Sequence, residues 1–407
     1  MGLIVCKFGG SSVAGIDKIN KVASRIKSLQ AEGYGIVVVV SAMGDTTDEL
    51  LKLATGIGNN LNLREMDALL ATGEQQSAAL LALALDKIGC KAISLTGWQA
   101  GVKSNSNYSK AKISGIDKQR MEKELTAGKI VVVAGFQGLS ADGDVTTLGR
   151  GGSDTSAVAI AASLGAKRCM IFTDVDGVYT ADPRIVKEAQ KLPSITYEEM
   201  LEMASLGAVI IQPRAVEFAM LYGVDIEVLN SFSLEPGTII TEVTNMEQHK
   251  IVTGVAHDCK CAKIGIFDVP DKPGIAGIIF SALARAGVNV DMVIQSAMRE
   301  ERNDIAFTIC SDDLHLAVPV VEEVVKEIGA SGMSYGDNVA KVSIIGAGMQ
   351  SNPGVAAAMF EVLATENINI QMISTSEIKV SCIINEDDVE TAIKALHRKF
   401  KLNQIND

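Results

Sequence analysis

Histidine is missing from the first 248 of the 407 residues; the four in the chain stand at 249, 257, 315 and 397. Any chemistry housed in that stretch proceeds without imidazole as base, as partner of a nucleophile or as metal ligand. Proline is scarce, at 8, while hydrophobic residues make up 47% and charged residues 21%, so neither a disordered nor a collagen-like chain fits. Long apolar runs are lacking too: the richest, Ile36 to Val40 and Ile130 to Ala134, have strand length, far below the roughly 20 residues of a membrane span. Basic residues are outnumbered, 37 against 49 acidic, and the net charge of −12 speaks against nucleic acid or a membrane surface as partner. The 7 cysteines are scattered, with no Cys-x-x-Cys, which gives no support to a disulfide frame or a zinc site. Cys259 and Cys261 read as alternate residues of a strand, and no metal-ligand set is expected. The N-terminus enters a strand at once and lacks a signal-peptide pattern, so the expected location is the cytosol.

What the chain does contain is enough for two or three domains at its length. Up to about residue 245, short β-rich runs alternate with helical patterns, the mark of parallel strands joined by helical crossovers. Strands are expected at 2–8, 35–41, 91–95, 130–135, 168–173 and 224–229, with helices at 17–31, 69–88, 153–164 and 197–203. This predicts an α/β fold, an open, mostly parallel sheet with helices on both faces, whose ligands bind beyond the carboxyl ends of the strands.

From 246 to 407 the text repeats itself. Pro273-Gly274-Ile275-Ala276 lines up with Pro353-Gly354-Val355-Ala356, and Val288-Asn289-Val290-Asp291-Met292 with Ile368-Asn369-Ile370-Gln371-Met372, at an offset of 80 residues. Each copy reads strand, Pro-Gly loop, helix, strand, strand, helix, the split βαβ pattern of ferredoxin-like βαββαβ domains. The second copy runs out of chain before its last strand. The β-branched run Lys250 to Ala256 is expected to supply it, so that a domain at about 263–334 is inserted in one formed by 246–262 plus 335–407.

Four segments suit chemistry. Lys7-Phe8-Gly9-Gly10-Ser11-Ser12 ends the first strand; its glycine amides and lysine make a phosphate cradle, although a glycine pair also serves any turn. Leu148-Gly149-Arg150-Gly151-Gly152-Ser153-Asp154 opens a small-residue helix. Ser153 or Asp154 can cap it, but capping has no need of an arginine, which suits a carboxylate or phosphate. Phe172-Thr173-Asp174-Val175-Asp176-Gly177-Val178-Tyr179-Thr180-Ala181-Asp182-Pro183-Arg184 leaves a strand through turn residues with a ring and a cation that suit a nucleotide. Ala71-Thr72-Gly73-Glu74 starts a helix with an acid in its first turn, ordinarily a match to the helix dipole.

Taken together these segments resemble the amino acid kinase family and, more closely, its aspartokinase branch; the duplicated tail is similar to the paired ACT domains of that branch. The resemblance implies phosphorylation of the β-carboxylate of L-aspartate by ATP with Mg2+, on the way to lysine, threonine and methionine. It implies Lys7 and Asp154 as catalytic residues, and Thr47, Glu74, Arg150, Gly151 and Ser153 as substrate contacts, Glu74 for the ammonium and Arg150 for the α-carboxylate. Lys7, Phe8, Gly9 and Gly10, with Ser41, Thr173, Asp174, Tyr179 and Arg184, would hold the nucleotide. An amino-acid effector, lysine or threonine or both, would bind at Asp271, Pro273, Gly274, Ile275, Ala276, Asn289 and Gln295 of the first copy and Asn369 and Ile370 of the second, where ACT domains of a homodimer or larger assembly pair. The absence of histidine agrees with this chemistry, because a carboxylate is already ionised near neutral pH and attacks phosphorus without a base.

One position departs from the pattern. Related chains usually carry a lysine where this one has Val209, and either the contact is dispensable, Arg214 or Arg184 replaces it, or nucleotide affinity is lower. Kinases of glutamate, acetylglutamate, carbamate or uridylate share the phosphate segments but typically lack the paired tail. A catalytically dead amino-acid sensor would explain Val209, against the joint retention of Lys7, Glu74, Arg150 and Asp154.

Overall fold

The computed structural model describes residues 2–58, 61–206, 210–242, 251–297 and 301–404; Val209 and Lys250, named above, lie outside them. The chain divides into two compact units. The first contains an eight-stranded sheet in the order Ser194–Thr196, Thr238–Thr241, Asp225–Asn230, Arg168–Thr173, Leu3–Phe8, Gly35–Val40, Ile130–Ala134, Ala92–Leu95. Every pairing is parallel except that of Asp225–Asn230 with Thr238–Thr241. All six expected strands are present. The three central ones are buried on both faces, which is why they read as unbroken apolar runs instead of alternating ones.

Even-numbered residues of these strands (Ile4, Cys6, Phe8, Val38, Val40) pack with Ile19, Val22 and Ile26 of the helix Ile16–Ala31 and Leu81 and Leu85 of the helix Thr72–Lys87. The odd-numbered face receives the helix Gly152–Leu164, small and uncharged almost all round and therefore buried from Gly152 to Ala161. The helix expected over 69–88 is two, Leu63–Leu70 and Thr72–Lys87, meeting at Ala71. A small sheet, in the order Ile113–Ile116, Val102–Ser104, Gln137–Leu139, Val145–Thr147, escapes the sequence reading because its strands have only three or four residues, too few to show a period.

The second unit carries a six-stranded sheet in the order Val290–Gln295, Arg302–Cys310, Gly254–Pro270, Gly332–Ile345, Lys379–Asn385, Met372–Thr375. Two of its strands are long and serve both copies of the repeat. Gly254 to Asp258 pairs with Ile345 to Lys341, completing the sheet of the second copy, while Lys263 to Phe267 pairs with Gly336 to Gly332 in the first. Each copy has its own core: Ile264, Ile266, Leu283, Phe307 and Val321 in one, Val342, Ile344, Leu363, Cys382 and Leu396 in the other.

The sequence reading placed all of residues 1–245 in the first unit, and one segment lies elsewhere. Tyr179–Gln190 belongs to the second unit, because Ala181, Val186 and Ala189 are buried in the apolar core of the second copy, with Tyr179 and Ile185 against it. Thr180 seals the attachment: its Oγ1 lies 2.9 Å from Nε2 of the buried His397, and its carbonyl accepts the Val255 amide at 2.8 Å.

Candidate active site

Lys7 is the penultimate residue of the strand Leu3–Phe8, on the face that meets the helix Gly152–Leu164. Its ammonium lies 2.6 Å from Oδ1 of Asp154 in the first turn of that helix, and both side chains are almost wholly buried. The contact is an ion pair, and Asp154 Oδ1 accepts no other hydrogen bond among the described residues. Beyond Phe8 the chain turns through Gly9 and Gly10. A Cβ on Gly10 would stand 2.8 Å from the carbonyl oxygen of Ala42, so only glycine fits that close approach.

Ala42 also anchors the acid expected to meet an ammonium. Glu74 is buried, and its Oε1 accepts the Ala42 amide at 3.0 Å while Oε2 has no partner. Burial away from water pushes its pKa up to about 7, although the Ala42 hydrogen bond pulls the other way. Gly73 permits the contact, since a Cβ there would come within 2.9 Å of the Ala42 Cβ. Ser41 follows the strand Gly35–Val40, with its amide on the Phe8 carbonyl at 3.1 Å, and Thr47 is half-buried in the helix Thr46–Thr55.

Arg150 sits on a turn between Gly149 (φ 77°) and Gly151 (φ 69°), exposed and without a charged partner among the described residues. At Gly151 a Cβ would collide with Gln212 Cγ at 1.6 Å, and Gly135 lets the buried Ser153 approach in the same way, at 2.9 Å. Thr173 and Asp174 end the strand Arg168–Thr173, beside the loop after Asp225–Asn230. There Ser231 Oγ donates to the Thr173 carbonyl at 3.0 Å and Asn230 Nδ2 to the Asp174 carbonyl at 3.2 Å.

Thus Lys7, Phe8, Gly9, Gly10, Ser41, Glu74, Gly151, Ser153 and Asp154 gather at the carboxyl ends of the central strands. Tyr179 and Arg184 lie in the other unit, where Arg184 forks onto Asp182 at 2.7 to 3.1 Å. The guanidinium of Arg214 donates to the carbonyls of Leu148 and Ala111, each at 3.0 Å. Among the described residues no three His, Cys, Asp or Glu side chains form a metal cage, and no helix is long and apolar enough to cross a membrane.

In the second unit a cavity of about 440 Å³ opens at the first Pro-Gly loop, lined by Asp271, Pro273, Gly274, Ile275, Ala276 and Gln295. Asn289, Asn369 and Ile370 do not line it. Asn303 does, and the sequence reading missed it because an asparagine inside a strand carries no signal. Its Nδ2 donates to Asp271 at 3.3 Å, while its buried Oδ1 has no partner among the described residues.

The amino acid kinase family matches residues 2–230, and an ACT domain matches 268–325 and again 342–400. An aspartokinase of Bacillus sp. (strain MGA3) is 51% identical over 403 residues, covering 99% of this chain and 98% of the relative. Aspartokinase 2 of Bacillus subtilis (strain 168) is 48% identical over 404 residues, 99% of each chain. The crystal structure of aspartate kinase from Synechocystis superposes with a TM-score of 0.56 at 47% identity, over 98% of this chain and 70% of that one. E. coli aspartokinase III with aspartate and ADP reaches 0.82 over 98% and 99%, a likeness of fold at 24% identity. Matched over nearly its whole length, the chain belongs to the amino acid kinase family and, within it, to the aspartokinases.

Proposed function

We propose that this chain transfers the γ-phosphoryl group of ATP to the β-carboxylate of L-aspartate, giving 4-phospho-L-aspartate, the entry to lysine, threonine and methionine synthesis. The observation that carries the reading is the Lys7–Asp154 pair, 2.6 Å apart at the end of a central strand and followed directly by the Gly9-Gly10 turn. Phosphoryl transfer is mostly a matter of alignment and charge neutralisation. Lys7 and the Gly10 amide meet the β- and γ-phosphates, the Gly9 amide being taken by the Phe172 carbonyl at 3.2 Å, and Asp154 holds the ammonium aimed at them. Ser41, Thr173 and Asp174 line the nucleotide side, with Tyr179 and Arg184 further along the same chain.

The acceptor needs no base, being ionised already. It needs orientation: Glu74 takes the α-ammonium on its unpartnered oxygen, Arg150 takes the α-carboxylate, and Thr47, Gly151 and Ser153 complete the pocket. Mg2+ supplies charge neutralisation on the phosphates when bound. The residues present fit an ion that would arrive with the nucleotide and keep its water shell beside Asp154, since among the described residues no carboxylate cage stands ready for it.

The cavity at Asp271 to Ala276 takes an amino-acid effector, lysine or threonine, its ammonium meeting the unpartnered Asn303 Oδ1 and the Asp271 carboxylate. Asn369 and Ile370 of a second copy of the chain would close it, which makes the working unit at least a homodimer in the cytosol. Trapping the acyl phosphate with hydroxylamine tests the whole reading. Aspartyl hydroxamate should form with aspartate and not with glutamate, and less of it with effector present; no hydroxamate from any amino acid would reduce the chain to a sensor.

A further inference from the structure

Arg150 is exposed and has no charged partner among the described residues, so its aim depends on how firmly its backbone is held. Two side chains, neither foreseen from the sequence, hold it. Asp67, fully buried on the helix Leu63–Leu70, accepts the Thr147 amide at 2.8 Å, the Thr147 hydroxyl at 2.7 Å, and the Ser109 amide at 2.9 and 3.1 Å. Arg214 binds the next carbonyl along, that of Leu148, and ties it to Ala111. The residues leading into the Gly149–Gly151 turn are therefore fixed at the Thr147 amide and hydroxyl and at the Leu148 carbonyl.

A buried carboxylate that meets amides and a hydroxyl, with no cation opposite it among the described residues, is an expensive clamp for the end of a three-residue strand. The helix that carries it leads directly to the second contact. The Asp67 carbonyl accepts the Ala71 amide at 3.0 Å, at the junction where the next helix departs with Glu74 in its first turn. The Asp67 side chain thus ties the strand end before Arg150 to a helix that runs on, through this ordinary helical bond, into the one bearing Glu74. An α-amino acid presents ammonium and carboxylate at one invariable separation, and charged contacts bind it well only when preset to match.

We propose that Asp67, with Arg214 as second support, is a positioning residue that sets the separation of the Glu74 and Arg150 contacts and so determines recognition of the α-amino and α-carboxylate groups. The inference rests on the aspartate-kinase reading and concerns the same site.

The test is steady-state kinetics of Asp67→Asn and Arg214→Gln, alone and combined with Arg150→Ala. The aspartate KM should rise about tenfold or more in Asp67→Asn, and in the same direction but less in Arg214→Gln, while the ATP KM stays within about twofold. Added to Arg150→Ala, Asp67→Asn should raise the aspartate KM by a clearly smaller factor than in the wild type, because the two act on one contact. Equal factors in both backgrounds, or parallel rises in both KM values, would overturn the proposal. Should Asp67→Asn fail to fold, Thr147→Val, which removes only the hydroxyl donor, serves in the same cycle. A wild-type chain that makes no aspartyl hydroxamate would defeat the parent reading instead, before any variant is made.

Discussion

Glu74 grips the amide of Ala42 with one carboxylate oxygen and leaves the other buried and unpartnered. Its pKa, raised from 4.5 to about 7 by burial, has a definite sign in stability. The protonated form favours folding, so its contribution is complete below about pH 4.5 and is lost as pH rises through about 7. Glu74→Gln should therefore melt progressively higher than the wild type between those limits, by on the order of 3 kcal/mol at the plateau. Thermal melts of the substrate-free proteins across that range measure it; a constant difference would remove the burial argument. Aspartate binding below pH 7 should also release a proton, visible by calorimetry in buffers of different ionisation enthalpy and absent in Glu74→Gln.

Lys7→Ala should lower kcat by at least about 10²–10³, the effect of removing one preorganised charge from a transition state. Circular dichroism should be unchanged, because the strand is held by its neighbours on both sides. A variant that turns over like the wild type would take Lys7 out of the mechanism.

Gly10→Ala brings a methyl group to within 2.8 Å of the Ala42 carbonyl, which has to move. Since Ala42 also holds Glu74, the KM values for ATP and aspartate should rise together, with a loss of roughly 1–3 kcal/mol in stability from overpacking. Urea unfolding and initial rates check the two halves separately.

Asn303→Ala removes the buried acceptor in the cavity at the first Pro-Gly loop. The concentration of lysine or threonine giving half-maximal inhibition should rise about tenfold. An unaltered inhibition curve would move the effector elsewhere.

Much of the molecule was legible in the sequence because its strongest signals are local. Central strands buried on both faces have to be apolar throughout, and Ile36 to Val40 or Ile130 to Ala134 admit no other reading. Gly10 and Gly151 are glycine because a neighbour occupies the place of the Cβ, so the clusters around Lys7 and Arg150 stood out. The Pro-Gly loop was legible through duplication, and most of its predicted residues line one cavity. What stayed hidden depends on partners far along the chain. Asp67 matters through Thr147, 80 residues away, and Arg214 through Leu148, 66 away. Nothing near either residue announces those contacts. Tyr179 to Arg184 looked like nucleotide-site sequence, and only the burial of Ala181, Val186 and Ala189 assigns Tyr179–Gln190 to the second unit.

The strands Gly254–Pro270 and Gly332–Ile345 each run through both ACT copies. Neither copy can be excised intact: deletion of one leaves the other short of a border strand, with hydrogen-bonding groups and apolar side chains laid bare. The register of their pairing shifts between Asp258 and Lys263, where one copy gives way to the other, so the tail is a single sheet with its joint at the seam.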